Sequence, residues 1–133
     1  MYHLTVETEF CAAHAIVMRG VREPNHGHNW LVTLTLAGPT LDADGLLCDF
    51  HAAEAALRTT TAVFHNADLN TTPPFDRVNP TAEHVARHIA EATQSALEES
   101  LPDGARVTAC RVTEAPGCAV TYHRTVPTNE RTS

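Results

Sequence analysis

Residues 2–10 alternate strictly between two faces. Tyr2, Leu4, Val6, Thr8 and Phe10 share one, and His3, Thr5, Glu7 and Glu9 the other. A period of two belongs to a strand with one buried face, and such a strand needs both a partner and a layer to cover it. Residues 28–38 supply the partner: His28, Trp30, Val32, Leu34 and Leu36 oppose Asn29, Leu31, Thr33 and Thr35. Apolar residues on both of its faces predict a central strand covered on both sides.

Between these strands, residues 15–25 hold Gly20 and Pro24 without a period and read as a loop. Asp42-Ala43-Asp44-Gly45 is turn chemistry. The alanine-rich stretch from Phe50 to about Val63, with Asp49 as cap, reads as a helix. Residues 64–80 form a long loop. A second helix is expected over Thr81–Ser100, with Asn79 as cap and Pro80 at the first helical position. There Val85, Ile89, Thr93, Ala96 and Leu97 recur at three- and four-residue steps. Residues 106–114 and 118–125 are strands joined by Ala115-Pro116-Gly117, a hairpin. The order ββααββ segregates strands from helices and predicts an antiparallel α+β domain. The expected organisation is a single domain over residues 1–125 and a polar tail over 126–133.

A chain of 133 residues has room for one core and not two. With 43% hydrophobic and 19% charged residues it is not a disordered chain. No apolar run approaches the ~20 residues of a membrane span. The opening MYHLTVETEF lacks a basic stretch followed by an apolar one, so no secretory signal is expected. A net charge of −7, with nine scattered arginines and no lysine, argues against a nucleic-acid partner. Cys11, Cys48, Cys110 and Cys118 include no CxxC pair, and are expected to be reduced and mostly buried, as in a cytoplasm.

Nine histidines are more than such a chain needs for packing. His26 and His28 flank Gly27. As residues i and i+2 of a strand they present two imidazoles on one side, and Gly27 leaves the other side open to close backbone approach. His14 lies just past the first strand and returns beside His26 if the two strands pair. Three neutral imidazoles with an open fourth position suit a catalytic zinc ion. Zinc is preferred to iron because no carboxylate stands out as a further ligand. His3, His51 and His123 fall on polar faces. His84 and His88, four apart on a helix, read as a solvated face. None of these five is assigned to metal.

These residues carry a resemblance. Phe10-Cys11-Ala12-Ala13-His14, His26-Gly27-His28, Gly45-Leu46-Leu47-Cys48-Asp49-Phe50, Leu69-Asn70, Asn79-Pro80-Thr81-Ala82-Glu83 and Val112-Thr113-Glu114 with Tyr122 follow in order along nearly the whole chain. Together they resemble the 6-pyruvoyltetrahydropterin synthase / 6-carboxytetrahydropterin synthase family. The resemblance implies a tunnelling fold, with a four-stranded antiparallel sheet, two helices on one face, and subunits joined edge to edge into barrels. It also implies a homohexamer with active sites at subunit interfaces. Unpaired sheet edges independently call for covering.

The resemblance implies roles as well. His14, His26 and His28 match the zinc ligands, and Glu114 the carboxylate that anchors the pterin. Thr81 and Glu83 are assigned helix capping and no chemistry. The family's catalytic cysteine position is Arg22 here. Glu23, three residues before His26, resembles the glutamate of a subgroup with Glu-x-x-His-Gly-His. That subgroup cleaves the side chain of 7,8-dihydroneopterin triphosphate to 6-hydroxymethyl-7,8-dihydropterin, a folate precursor. The family's Asp-His relay falls on a changed stretch, Phe64-His65-Asn66-Ala67-Asp68, where His65 and Asp68 are the candidates. Three readings stay open: this cleavage, 6-carboxytetrahydropterin synthase (queuosine route) or 6-pyruvoyltetrahydropterin synthase activity, and a non-catalytic zinc- or pterin-binding homologue.

Overall fold

The computed structural model describes residues 1–125, and the tail expected at 126–133 lies outside the described residues. Strand β1 runs Tyr2–His14. A short ribbon follows, β2 (Val17–Met18) and β3 (Val21–Arg22), then β4 (His26–Gly38). Helix α1 is Phe50–Ala62, β5 is Ala67–Asp68, and a 3₁₀ turn is Leu69–Thr71. Helix α2 (Ala82–Leu97), β6 (Arg106–Ala115) and β7 (Cys118–His123) complete the chain. The long elements keep the order ββααββ of an α+β tunnelling fold.

The sheet order is β5-β1-β4-β6-β7. Its four long strands are antiparallel. The expected four-stranded sheet is extended by β5, which lies parallel to β1 at Ala12 and Ala13. The span 15–25, read as a plain loop, contains the β2–β3 ribbon. It turns through Arg19 (φ 51°) and Gly20 (φ 78°), the backbone a tight hairpin needs.

Strand β1 outlasts its expected end. The alternation continues through Ala12 to His14, both buried, and these short side chains carry little strand signal of their own. On the core face, Leu4, Val6 and Phe10 of β1 lie beside Trp30, Val32, Leu34 and Leu36 of β4. Ala53 and Leu57 of α1 and Val85 and Ile89 of α2 join the same core, so both helices cover one face. Phe10 stacks parallel to Trp30 at 5.8 Å.

Strand β6 carries a bulge. Thr35 pairs Ala109 while Leu36 pairs Val107. The extra residue, Thr108, shifts the buried positions from Val107 to Cys110 and Val112. The far face of β4, expected to be covered, is open within the chain: Leu31 is 39% exposed. Strand β4 is nevertheless central, and among the described residues nothing covers Leu31 on its far face.

Helix α1 starts as expected, with the Asp49 carboxylate accepting from His51 N at 2.9 Å. Helix α2 does not. Its N-cap is Thr81, accepting from His84 N, because Asn79 and Pro80 are engaged elsewhere. Two of the four free cysteines, Cys48 and Cys110, are buried; Cys11 and Cys118 are exposed. His88 is not solvated: it is half-buried, 5.5 Å from the Phe64 ring and 5.6 Å from Phe75. No helix among the described residues is long and apolar enough to cross a membrane.

Candidate metal centre and adjoining cleft

His14 and His26 are direct cross-strand partners, and His28 is two residues further along β4. All three side chains are on the core face, at the end where that layer opens. Ring centroids lie 4.8 Å apart for His14–His26, 5.2 Å for His14–His28 and 4.6 Å for His26–His28. Gly27 meets no close backbone: a Cβ there would find nothing within 4 Å among the described residues.

The ring orientations suit a metal. His14 is fully buried and donates Nδ1–H to the Pro80 carbonyl at 2.8 Å. His26 donates Nδ1–H to the Pro24 carbonyl at 3.0 Å. Each bond turns Nε2 inward, the arrangement in which an outer carbonyl fixes a ligating imidazole. His28 Nε2 is buried and has no hydrogen-bond partner among the described residues. Burial lowers the pKa of His28, the Glu114 carboxylate opposes that, and the neighbouring His26 and His14 lower it further. A neutral imidazole with an orphaned inward nitrogen is a metal donor in waiting.

A carboxylate does stand at the cluster, contrary to the sequence reading. Glu114 Oε1 is 2.9 Å from His14 Nε2, 3.3 Å from His28 Nε2 and 4.0 Å from His26 Nε2. His14, His26, His28 and Glu114 place one donor atom each within 4.8 Å of one another, so the group can hold a metal ion. Glu114 reaches them from β6 because it shares the core face with Val112 and Cys110 beyond the bulge.

The segment after His14 is held from both edges. Asn70 makes two amide bonds to Ala15, accepting its N–H and donating to its carbonyl, each 2.8 Å. Asn79 does the same to Val17, at 2.9 Å each. On the opposite edge, Glu23 N donates to the Ile16 carbonyl and Glu23 Oε1 accepts from Ile16 N, both at 3.1 Å. Glu23 is thereby fixed with Oε1 3.7 Å from His26 Nε2. The sequence reading gave Asn70 no role and Asn79 only that of a helix cap. The signal was present in the Leu69-Asn70 and Asn79-Pro80 motifs, but side chains that imitate a strand partner leave no periodicity.

Beside Glu114 opens a cleft of about 540 Å³, lined by Val17, Met18, Thr81, Glu83, Glu114 and Cys118 among others. Such a volume suits a small organic ligand. His65 and Asp68 are not brought to the centre within the chain. His65 Nδ1 accepts Cys11 N–H at 3.2 Å on the outer edge of β1. Asp68 caps the 3₁₀ turn by accepting Asn70 N at 3.0 Å, which aims the Asn70 amide at Ala15. Arg22 is exposed on β3, opposite Val17.

Several solved structures share this architecture. The 6-pyruvoyl tetrahydropterin synthase of Caenorhabditis elegans has a TM-score of 0.78 at 20% identity, over 94% of this chain and 98% of that one. The Plasmodium falciparum enzyme has a TM-score of 0.72 at 18% identity, with the same coverage. A Plasmodium vivax 6-pyruvoyltetrahydropterin synthase, with a catalytic glutamate replaced by alanine, has a TM-score of 0.71 at 21% identity, again over 94% and 98%. No curated sequence is a match. Identities this low speak for the fold. The model of the 6-pyruvoyl tetrahydropterin synthase family, however, matches residues 3–125, all but the ends of the chain that carries the three histidines, and so the chain belongs to that family.

Proposed function

We propose that the protein is a zinc-dependent pterin lyase acting on 7,8-dihydroneopterin triphosphate, cleaving its side chain to 6-hydroxymethyl-7,8-dihydropterin. Membership of the family supports a pterin synthase or lyase in general. The finer reading is carried by one observation: Glu23, three residues before His26, is held with Oε1 3.7 Å from His26 Nε2, while the family's cysteine position four residues before His26 is Arg22. That a Plasmodium vivax relative has a catalytic glutamate supports the same choice.

His14, His26 and His28 would hold the zinc ion, which supplies a Lewis acid for the side-chain hydroxyls of the substrate. Glu114 accepts hydrogen bonds from the amino-pyrimidine edge of the pterin, two parallel bonds that also set its orientation. Glu23 takes the hydroxyl proton whose loss starts a retro-aldol cleavage of the adjacent C–C bond. A carboxylate, with a reference pKa near 4.3 against ~8.5 for a thiol, is the weaker base. It is better matched to an acidified hydroxyl than to a carbon acid. His65 and Asp68 are tied up on β1 and the 3₁₀ turn, so a relay role for them requires a neighbouring subunit's centre. The outer edges of β7 and most of β1, unpaired among the described residues, favour such an assembly, a homohexamer.

The rival 6-carboxy- or 6-pyruvoyl-forming reading is favoured by one feature, the Cys118 thiol lining the cleft with Glu114. Zinc-loaded protein incubated with 7,8-dihydroneopterin triphosphate separates the readings by product. Hydroxymethyl-dihydropterin, abolished by Glu23→Gln but not by Cys118→Ser, is the expected outcome. A carboxy- or pyruvoyl-tetrahydropterin abolished by Cys118→Ser would replace it, and bound pterin without turnover would leave a binding protein.

A further inference from the structure

The carbonyl that orients His14 belongs to a residue that the helical ladder does not hold. Pro80 has no N–H to give, and α2 begins only at Ala82. Its two neighbours hold it instead. The Asn79 carbonyl accepts Thr81 N–H at 2.8 Å, closing a three-residue turn with Pro80 at its centre.

His84 reaches back to both neighbours. It donates Nδ1–H to the Asn79 carbonyl at 2.7 Å and its backbone N–H to Thr81 Oγ1 at 3.2 Å. A carbonyl only accepts, so this partner places the ring proton on Nδ1. One residue thus grips Pro80 from either side. The grip bears on the cleft and the metal group through two further contacts. The Pro80 carbonyl takes His14 Nδ1–H at 2.8 Å, and the Asn79 amide clamps Val17 at 2.9 Å. His84 itself is exposed and lies outside the group that could hold a metal ion.

The two halves of the grip differ in what they ask of the side chain. Any residue at position 84 offers an N–H to Thr81, and Val85 N donates to the Thr81 carbonyl in any case, so the helix keeps its cap without the imidazole. The Asn79 carbonyl does not keep its second donor. Water can replace that bond in energy, but it does not fix a direction. The Asn79–Pro80 peptide is then free to turn, and the Pro80 carbonyl turns with it. An outer carbonyl of this kind sets the tautomer and the direction of a ligating imidazole.

We propose that His84 is a positioning residue for the metal centre, acting through the Asn79–Pro80 peptide to hold His14 in its ligating orientation. This rests on the zinc assignment above.

The test needs no turnover. Zinc affinity is measured by chelator competition for the wild-type protein, His84→Ala and His84→Asn. His51→Ala, which removes an exposed histidine from the start of α1, is the control, and His14→Ala the ligand-loss reference. Asparagine carries an amide N–H close to where imidazole carries Nδ1–H, so it can restore the contact. His84→Ala is expected to bind zinc at least ~3-fold more weakly, with His84→Asn and His51→Ala within about twofold of wild type. The metal-free urea midpoint of His84→Ala should stay near that of wild type, because the lost bond is exposed and alanine is the better helix former. In metal-free protein the buried His14 ring N–H should give a sharp ¹⁵N-edited NMR signal in wild type and His84→Asn, broadened by exchange in His84→Ala. Wild-type zinc affinity in His84→Ala would overturn the proposal and leave the zinc assignment standing. A loss that asparagine does not rescue, or that follows the urea midpoint down, would overturn it as a general loosening of the helix start. A weaker site with the His14 signal unchanged would overturn the route through Pro80. No zinc binding by the wild-type protein would remove both this proposal and the proposed function.

Discussion

Asn70 and Asn79 perform the same chemistry in different surroundings, which makes them a controlled measurement of what burial does to a hydrogen bond. Each accepts one backbone N–H and donates to the carbonyl of the same residue, at 2.8 Å on Ala15 and 2.9 Å on Val17. Ala15 is fully buried, whereas Val17 is 46% exposed. Removing the Asn79 amide lets water take both Val17 groups. The loss is then near the net worth of the bonds, about 1 kcal/mol for the pair after solvent replacement. Removing the Asn70 amide strands a buried donor and a buried acceptor, each costing ~1–3 kcal/mol when left unmade. Asn70→Ala should therefore lose about 2–6 kcal/mol, and Asn79→Ala about 1 kcal/mol or less. Urea unfolding at one fixed protein concentration reads the difference, since association would otherwise add to apparent stability. Asn70→Asp should fall between, because it keeps the acceptor for Ala15 N–H and sets a carboxylate against the carbonyl. Equal losses for the two alanine variants would refute the claim that burial amplifies the clamp.

Two further outcomes follow from titrating groups. Burial raises the Cys110 thiol to about 12, and burial with the adjacent Asp49 raises Cys48, while Cys11 and Cys118 are exposed. Iodoacetamide at pH 8 should add two adducts by mass to the native protein and four in denaturant; a third native adduct would contradict the packing around Cys48 or Cys110. Burial against Phe64 and Phe75 lowers His88 below its ordinary value of 6.5. The unfolded chain then binds the proton more readily, so this group's contribution to stability declines as pH falls from 6.5 toward the lowered folded value, at no more than ~1.4 kcal/mol per pH unit. The difference in stability between wild type and His88→Leu, measured by urea unfolding from pH 7.5 to 5, should show that slope. A pH-independent difference would place the His88 ring in water.

What could be read from the sequence is what repeats along it. The alternation of β1 and β4 named the core face, and continuing it through Ala12 carries His14 to the level of His26. The hidden features are those where distant segments meet. The Thr108 bulge changes which β6 residues face inward, and with it whether Glu114 points toward the centre; no local pattern announces a bulge. His88 is half-buried because Phe64 and Phe75, from the 64–80 span, lie against its ring. Thr81 replaces Asn79 as cap because the Asn79 side chain is claimed by Val17 and the Pro80 carbonyl by His14. In each case a local preference yields to a tertiary partner.

The group that could hold a metal ion takes His14 from the end of β1, His26 and His28 from the start of β4 and Glu114 from the end of β6, so an ion bound there would tie three strand ends together. It binds the folded arrangement alone, and at a free concentration 100 times its Kd should add ~2.7 kcal/mol of stability. The gain should be local in its effect on motion. Leu57, Val85 and Ile89 bury the helices far along the core layer and are held by packing with or without metal. Ala15 and Ile16, by contrast, hang between Asn70 and Glu23 directly after His14. Chelation should therefore raise amide hydrogen exchange at Ala15, Ile16, His28 and Glu114 while leaving the middles of α1 and α2 unchanged. A uniform loss of protection across both helices would mean that the ion supports the whole fold rather than closing one end of the sheet. No change at the four strand-end amides would mean that those ends are held without it, and that the convergence of the imidazoles is a property of the sheet alone.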